Sequence, residues 1–133
     1  MPAEHIARVV TGSRRRDHIT PVLANLHWLP VHLRIEYKLA MLAFKSMTTQ
    51  HPRYLYELLR PYDPPRQLRQ RGMNLLQDSR TNLNFAKRAF CHAVPTIWNN
   101  LPQSVISDLA ISLGTFKSRL KTELYSRFSD TDL

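Results

Sequence analysis

A chain of 133 residues with 43% hydrophobic content has the length of one domain and enough apolar residues for a modest core. Nineteen Lys and Arg against ten Asp and Glu give a formal net charge of +9 and an isoelectric point near 10.3. That surplus favours polyanionic partners, nucleic acid before a membrane surface, and a single cysteine excludes an internal disulfide framework.

No apolar run reaches the roughly 20 residues of a membrane span. The first residues, MPAEHIARVV, lack the basic-then-apolar layout of a signal peptide. We therefore expect an intracellular chain, cytoplasmic or nuclear, with no membrane partner.

The basic surplus is spread evenly along the chain. Residues 1–60 carry nine basic and four acidic groups, and residues 61–133 carry ten and six, for formal charges of +5 and +4. Neither half is a separate basic tail, and a surface charge that serves only solubility is the alternative to a binding role.

Two short helices are predicted at the start of the chain. Residues 3–10 form the first, and Gly12 can take the left-handed conformation that ends helices. Thr20 and Pro21 are typical of a cap followed by a first-turn proline, which opens a second helix through Leu26.

A long helix predicted from Pro30 to about Thr49 is the expected core element. Two apolar lines run along it. They are Ile35, Leu39, Leu42 and Met47, and Leu33, Tyr37, Met41 and Phe44. Because two lines occupy most of the circumference, this helix should be covered on most sides. Pro52 opens a further short helix, RYLYELLR.

Prolines then interrupt the helical pattern. The stretch PYDPPRQLRQRG, residues 61–72, holds three prolines and a glycine and cannot keep regular structure for long. The next residues, MNLLQ, fit either a short strand or an extended arm. We expect an irregular connector over residues 61–83.

The last part of the chain returns to helix signals. Asn84 is the predicted cap of a helix FAKRAFCHAV, and Pro95 starts a further turn, TIWNNL. Ser112 is the predicted cap of the last helix. Apolar residues recur every four positions along that helix: Phe116, Leu120 and Leu124. Residues 129–133 form an acidic tail that should fray.

These elements predict a mostly α fold, a small single helical domain over residues 1–128. It should contain five to six helices, the proline-rich connector and one short extended segment. The predicted core residues are Trp28, Ile35, Leu39, Leu42, Phe44, Phe90, Trp98, Phe116, Leu120 and Leu124.

The sequence contains no arrangement of residues typical of catalysis. Cys91 and His92 do not supply a zinc-ligand pattern, and three isolated glycines form no phosphate-binding loop. The nearest carboxylate pair, Asp130 and Asp132, falls in the predicted tail, and no G-x-S-x-G elbow occurs. We predict that the chain is not an enzyme, with no catalytic residues, no metal site and no cofactor.

Basic clusters are the remaining candidate functional residues. Guanidinium groups suit phosphate because their fork of donors binds two oxygens at once, and clusters in loops can fit an irregular RNA backbone. The aromatic residues Trp28, Phe90 and Trp98 fall on apolar faces and are assigned to the core. The predicted nucleic-acid-binding residues are Arg14, Arg15, Arg16, Arg66, Arg69, Arg71, Lys87, Arg88, Lys117, Arg119 and Lys121.

Four blocks of sequence occur in a recognisable order. They are DHITPVLANLHWLPVHLRIEYKLAMLAFK, RYLYELLRPYDPPRQLR, RAFCHAVPTIWNNLP and TFKSRLKTELY, with HWLPV and W-N-x-L-P as the most specific elements. This order resembles the segment after the reverse-transcriptase domain at the carboxyl end of LINE-type (non-LTR) retrotransposon polyproteins of the jockey-related group. The resemblance covers roughly residues 7–128.

The resemblance implies a supporting role rather than catalysis. In such polyproteins the polymerase carries paired aspartates after an aromatic residue, and this sequence has no such pair. The implied role is a helical appendage that supports a reverse-transcriptase domain and holds RNA or DNA during target-primed reverse transcription. A protein-interaction module that uses an apolar surface, and a relic with no selected function, are the alternatives.

Overall fold

The computed structural model describes residues 3–67, 69, 73–78 and 80–131. Over these residues the chain is mostly helical, as predicted from the sequence, and forms seven α-helices and one 3₁₀ helix with no strand. The α-helices are α1 Ala3–Thr11, α2 Ile19–Asn25, α3 Val31–Thr49, α4 Arg53–Leu58, α5 Phe90–Asn99, α6 Gln103–Ile106 and α7 Leu113–Thr131; the 3₁₀ helix is Ala86–Arg88. The expected extended segment is a single antiparallel bridge between Pro61 and Leu76.

The chain divides into two compact units. The first unit comprises residues 1–37 and 120–133, and the second comprises residues 38–119. Helices α3 and α7 each contribute residues to both units.

The end of α1 follows the predicted glycine signal. Gly12 has a φ of +68°, and the Ser13 N–H donates to the Arg8 carbonyl at 3.0 Å. This six-to-one bond across a left-handed residue is a Schellman motif, which satisfies a carbonyl that the helix end leaves unpaired. The prediction for Gly12 is confirmed.

A second Schellman motif ends α2 without a glycine. His27 has a φ of +53°, its N–H donates to the Ala24 carbonyl at 3.1 Å, and the Trp28 N–H donates to the Leu23 carbonyl at 2.9 Å. The helix was predicted to run through Leu26, close to this end, but the left-handed residue was not predicted because that position is usually glycine.

Three of the predicted helix starts are wrong. Helix α2 begins at Ile19, so Thr20 lies within its first turn and does not cap it. The helix predicted after Asn84 is broken at Ala89, whose ψ of 145° is extended. Pro95 does not start a new turn but lies buried inside α5.

Helix α7 begins where the sequence predicted and ends later. The Ser112 hydroxyl accepts from the Thr115 N–H at 3.2 Å, so Ser112 caps the helix as expected. The helix continues to Thr131, and the Ser129 hydroxyl donates to the Tyr125 carbonyl at 3.1 Å. The prediction of a frayed tail is therefore wrong for residues 129–131, and residues 132–133 lie outside the described residues.

The first unit has an apolar core fixed by polar contacts at its edge. Its buried residues are Ala7, Val22, Leu23, Leu29, Leu33, Leu120, Leu124 and Phe128. The Tyr125 hydroxyl of α7 donates to the Ala24 carbonyl of α2 at 3.0 Å, and Arg127 pairs with both Glu36 and Glu123. These contacts join the amino-terminal helices of this unit to the last helix.

Burial on α3 differs from the predicted pattern. Ile35 is 55% exposed, and Leu39 and Leu42 are only half-buried, so the first predicted apolar line is not the core line. The buried face instead carries Leu33, Ala40, Ala43, Phe44 and Ser46. Leu33 and Phe44 belong to the second predicted apolar line, whereas Ala40, Ala43 and Ser46 were not predicted because their side chains are small.

Three aromatic rings form the centre of the second unit. The ring centroids of Phe44 and Phe116 are 4.1 Å apart, and the two rings stack with an interplanar angle of 8°. The ring centroid of Trp98 lies 5.8 Å from that of Phe116. All three side chains are buried, as predicted. The other two aromatic core predictions are wrong, since Trp28 and Phe90 are half-buried.

The W-N-x-L-P element has a structural role in the second unit. Asn99 of α5 makes a reciprocal pair with Leu76: its Oδ1 accepts from the Leu76 N–H at 2.9 Å, and its Nδ2 donates to the Leu76 carbonyl at 2.8 Å. The Trp98 indole N–H donates to the Asn74 carbonyl at 2.8 Å. Leu101 is buried, and Pro102 precedes α6. The element therefore holds residues 73–77 against α5.

Asn74 continues this network toward α6. It has a φ of +55°, and its side-chain amide donates to the carbonyls of Ile106 and Ser107, both at 2.9 Å. The segment MNLLQ is therefore an extended arm held by side-chain amides, with one isolated bridge in place of a strand.

One buried hydroxyl in α3 has no hydrogen-bond partner. Ser46 is fully buried, and its Oγ makes no hydrogen bond. We expect Ser46→Ala to raise the free energy of unfolding by about 1–2 kcal/mol, because it removes an unpaired polar atom and alanine has the higher helix propensity. Urea denaturation would measure the change. Ser126→Ala, at an exposed position of α7, is the matched control and should give only the propensity gain of about 0.5 kcal/mol. Destabilisation by Ser46→Ala would mean that the hydroxyl has a partner in solution.

Candidate nucleic-acid interface

The two units differ sharply in charge. The second unit carries twelve Lys and Arg against four Asp and Glu, a formal charge of +8. The first unit carries seven against six, a formal charge of +1. The even distribution along the sequence is therefore misleading, because the chain returns to the first unit with a segment rich in acids.

The arginine triplet lies in an ordered loop of the first unit. Arg14, Arg15 and Arg16 are all exposed. The Arg8 guanidinium donates to the carbonyls of Arg14 and Asp17, at 2.6 and 2.8 Å. The Asp17 carboxylate accepts from the Arg14 N–H at 2.8 Å, so a negative group lies at the base of the triplet.

Basic residues of the connector and of α7 lie in different places. Arg66 and Arg69 are exposed in the connector of the second unit, while Arg71 lies outside the described residues. On α7, Lys117 is half-buried and Arg119 is exposed, both in the second unit, whereas the exposed Lys121 belongs to the first. The eleven predicted residues thus divide between the units.

A cleft in the second unit gathers basic groups that sequence reasoning only partly found. It has a volume of about 620 Å³, and Arg80, Lys87 and His92 line it together with Asp78 and Asn82. Lys87 was a predicted nucleic-acid-binding residue. Arg80 was not, because it has no basic neighbour in the sequence, and His92 was considered only as a metal ligand. These three residues line one cleft, a grouping that their spacing in the sequence did not show.

An ordered turn beside this cleft exposes an aromatic ring. Phe85 is 86% exposed, and Leu83 next to it is 68% exposed. The Lys87 N–H donates to the Leu83 carbonyl at 3.3 Å, and the Arg88 N–H donates to the Phe85 carbonyl at 3.2 Å. Sequence reasoning placed Phe85 within a helix and did not identify it as a surface residue.

Few of the basic side chains are neutralised. Over the described residues the ion pairs are Arg53 with Glu57, and Arg127 with Glu36 and Glu123. None of the predicted nucleic-acid-binding residues in that part of the chain takes part in one. Their charge is therefore available to an external anion.

Two further features were sought in the described part of the chain, a metal site and a membrane-spanning helix. It contains no group of three or more His, Cys, Asp or Glu residues that could hold a metal ion. No helix in it combines the length and apolarity needed to cross a bilayer.

Comparisons with known proteins add no relationship. No protein-family model matches the chain, and searches of curated proteins and of solved structures likewise find no match.

Proposed function

We propose that this chain is a non-catalytic, basic helical module that binds the phosphate backbone of RNA or single-stranded DNA, chiefly through its second unit. The observation that carries the proposal is the charge of that unit, +8 over 82 residues, with exposed basic side chains outside ion pairs. The arginine triplet of the first unit is then a secondary contact, because that unit is nearly neutral.

The chemistry of the exposed residues supports a backbone ligand. Arginine side chains at Arg66, Arg69, Arg80 and Arg88 present planar donors that match phosphate oxygens. Binding to phosphates releases condensed counterions, which makes the affinity strong at low salt and independent of base sequence.

The resemblance to the tails of LINE-type polyproteins agrees with this role. We propose that the chain derives from the carboxyl-terminal region of a retrotransposon reverse transcriptase. In that setting the module would hold nucleic acid beside a polymerase domain, and the polymerase would supply the catalytic carboxylates that this sequence lacks.

Salt dependence tests the proposal and the choice of unit. If the wild-type chain neutralises about five phosphates of a 12-nucleotide strand, log K should fall by roughly 3.5 per decade of salt, about a hundredfold between 50 and 200 mM. Changing Arg80, Lys87 and Arg88 together to Gln should flatten that slope by about 2, because three contacts at roughly 0.7 each are lost. Fluorescence anisotropy across a salt series would measure both slopes.

The arginine triplet provides the matched control. Changing Arg14, Arg15 and Arg16 together to Gln removes the same charge from the first unit, and it should flatten the slope by less than half as much. Equal losses from the two variants would mean that only net charge matters, and the proposed surface would be rejected. Circular dichroism of both variants would check that the fold is retained.

A protein-interaction module is the second candidate. It is favoured by apolar side chains exposed on the first unit: Ile6, Val9, Val10, Val31 and Ile35. An apolar contact is nearly insensitive to salt between 50 and 200 mM, so the same salt series distinguishes the two functions.

A further inference from the structure

We infer that Phe85 is a base-stacking platform for unpaired nucleotides, with Arg88 on the same turn as the adjoining phosphate contact. This inference rests on the proposed function, since it assigns the kind of nucleic acid that the second unit binds. Phe85 was not among the predicted binding residues, and its exposure excludes it from the apolar core.

The exposure of Phe85 is the first observation. A phenylalanine that is 86% exposed has no role in the core, and its flanking backbone is fixed by hydrogen bonds at Lys87, Arg88 and Ala89. The ring is therefore presented on an ordered turn. An ordered aromatic platform loses little conformational freedom when a base stacks on it.

The geometry of the turn places a guanidinium beside the ring. Phe85 has helical backbone angles, φ −62° and ψ −47°, and immediately precedes the 3₁₀ helix Ala86–Arg88. Side chains three residues apart in a 3₁₀ helix eclipse one another, so Phe85 and Arg88 share one side of the turn. A base stacked on Phe85 would thus have its own phosphate within reach of an arginine.

The neighbouring cleft provides further phosphate contacts along the same nucleic-acid strand. Lys87 lies between Phe85 and Arg88 in sequence and lines the cleft with Arg80 and His92. The cleft also contains the Asp78 carboxylate, which repels an anion, so the phosphate contacts are assigned to Lys87 and Arg80. Cationic groups interleaved with an exposed aromatic ring are typical of surfaces that follow single strands.

Stacking on Phe85 distinguishes single-stranded from duplex nucleic acid. A base within a duplex is already stacked on both faces, whereas an unpaired base offers a free face to an aromatic ring. The site therefore fits single-stranded RNA or DNA, and phosphate contacts alone would not distinguish a single strand from a duplex.

The test compares strands that differ only in their bases. Phe85→Ala, Phe85→Trp and Leu83→Ala would each be titrated with a labelled 12-nucleotide thymidine strand, its uridine counterpart, and an abasic 12-mer of the same charge. We expect Phe85→Ala to weaken binding of both base-containing strands by about 5- to 150-fold, the range for loss of one stacked base. Binding of the abasic strand should be unchanged, Phe85→Trp should retain wild-type affinity, and Leu83→Ala should have no effect.

Other outcomes would overturn the inference. Equal losses from Phe85→Ala and Leu83→Ala would indicate a general apolar contact, and an equal loss on the abasic strand would indicate a change in the turn itself. If Phe85→Ala has no effect while the wild-type salt slope persists, only the stacking site is rejected. If the wild-type chain binds none of the three strands at 50 mM salt, the proposed function is rejected as well.

Discussion

Phe116→Ala should lower the free energy of unfolding by about 3–5 kcal/mol, the usual cost of truncating a buried phenylalanine. Phe116 has no exposed surface, and its ring centroid lies 4.1 Å from that of Phe44 and 5.8 Å from that of Trp98. Its removal would therefore leave a cavity beside both rings in a closely packed core. Because small domains have only about 5–15 kcal/mol of total stability, this one change should bring the second unit close to unfolding.

Denaturation curves of two further variants would calibrate this result. Phe85→Ala makes the same substitution at an 86% exposed position and should change stability by less than about 0.5 kcal/mol. Leu39→Ala, at a half-buried position of α3, should fall between the two. If Phe116→Ala and Phe85→Ala have equal effects, the three-ring cluster is not the core of this unit.

Loss of the Asn99 side chain should cost about 2–6 kcal/mol, although Asn99 is polar and only half-buried. Its amide satisfies both the N–H and the carbonyl of Leu76, which is buried, so Asn99→Ala would leave two backbone groups unpaired at about 1–3 kcal/mol each. Residues 73–77 should then detach from α5 first. Hydrogen exchange of the Leu76 amide, compared with thermal melting of the whole chain, would detect that local opening.

Two variants test whether the loss of stability is specific to the pairing of the Asn99 amide with Leu76. Asn99→Asp keeps an acceptor for the Leu76 N–H but brings a carboxylate against the Leu76 carbonyl, so it should rescue stability little or not at all. Asn84→Ala changes an exposed asparagine that caps no α-helix and should be nearly neutral. A neutral Asn99→Ala would show that water replaces the amide and that the arm is not anchored there.

The sequence by itself determined the features that depend on neighbouring residues. Gly12 and Ser112 mark helix ends because their effects act through one turn of backbone, and the structure has both ends where the pattern predicted them. Phe116 belongs to the core because its apolar repeat continues through Leu120 and Leu124, which are also fully buried. The helical class follows from the same local periodicity.

The buried face of α3 depended on tertiary packing. Periodicity shows which sides of a helix are apolar, but not which side another element covers. Ala40, Ala43 and Ser46 are buried because close packing favours small side chains there, whereas the larger Ile35 is 55% exposed.

The candidate interface was decided by the fold for the same reason. The sequence identified most of the basic residues of the interface. The formal charge is an even +5 and +4 for residues 1–60 and 61–133, but it is +1 for the first compact unit and +8 for the second. Arg80, Lys87 and His92 lie within thirteen residues, but spacing alone does not show that they line one cleft or that the ring of Phe85 is exposed. Helix ends are set by interactions within a few residues, whereas a surface depends on which side chains packing leaves exposed and groups together, and only the tertiary structure decides that.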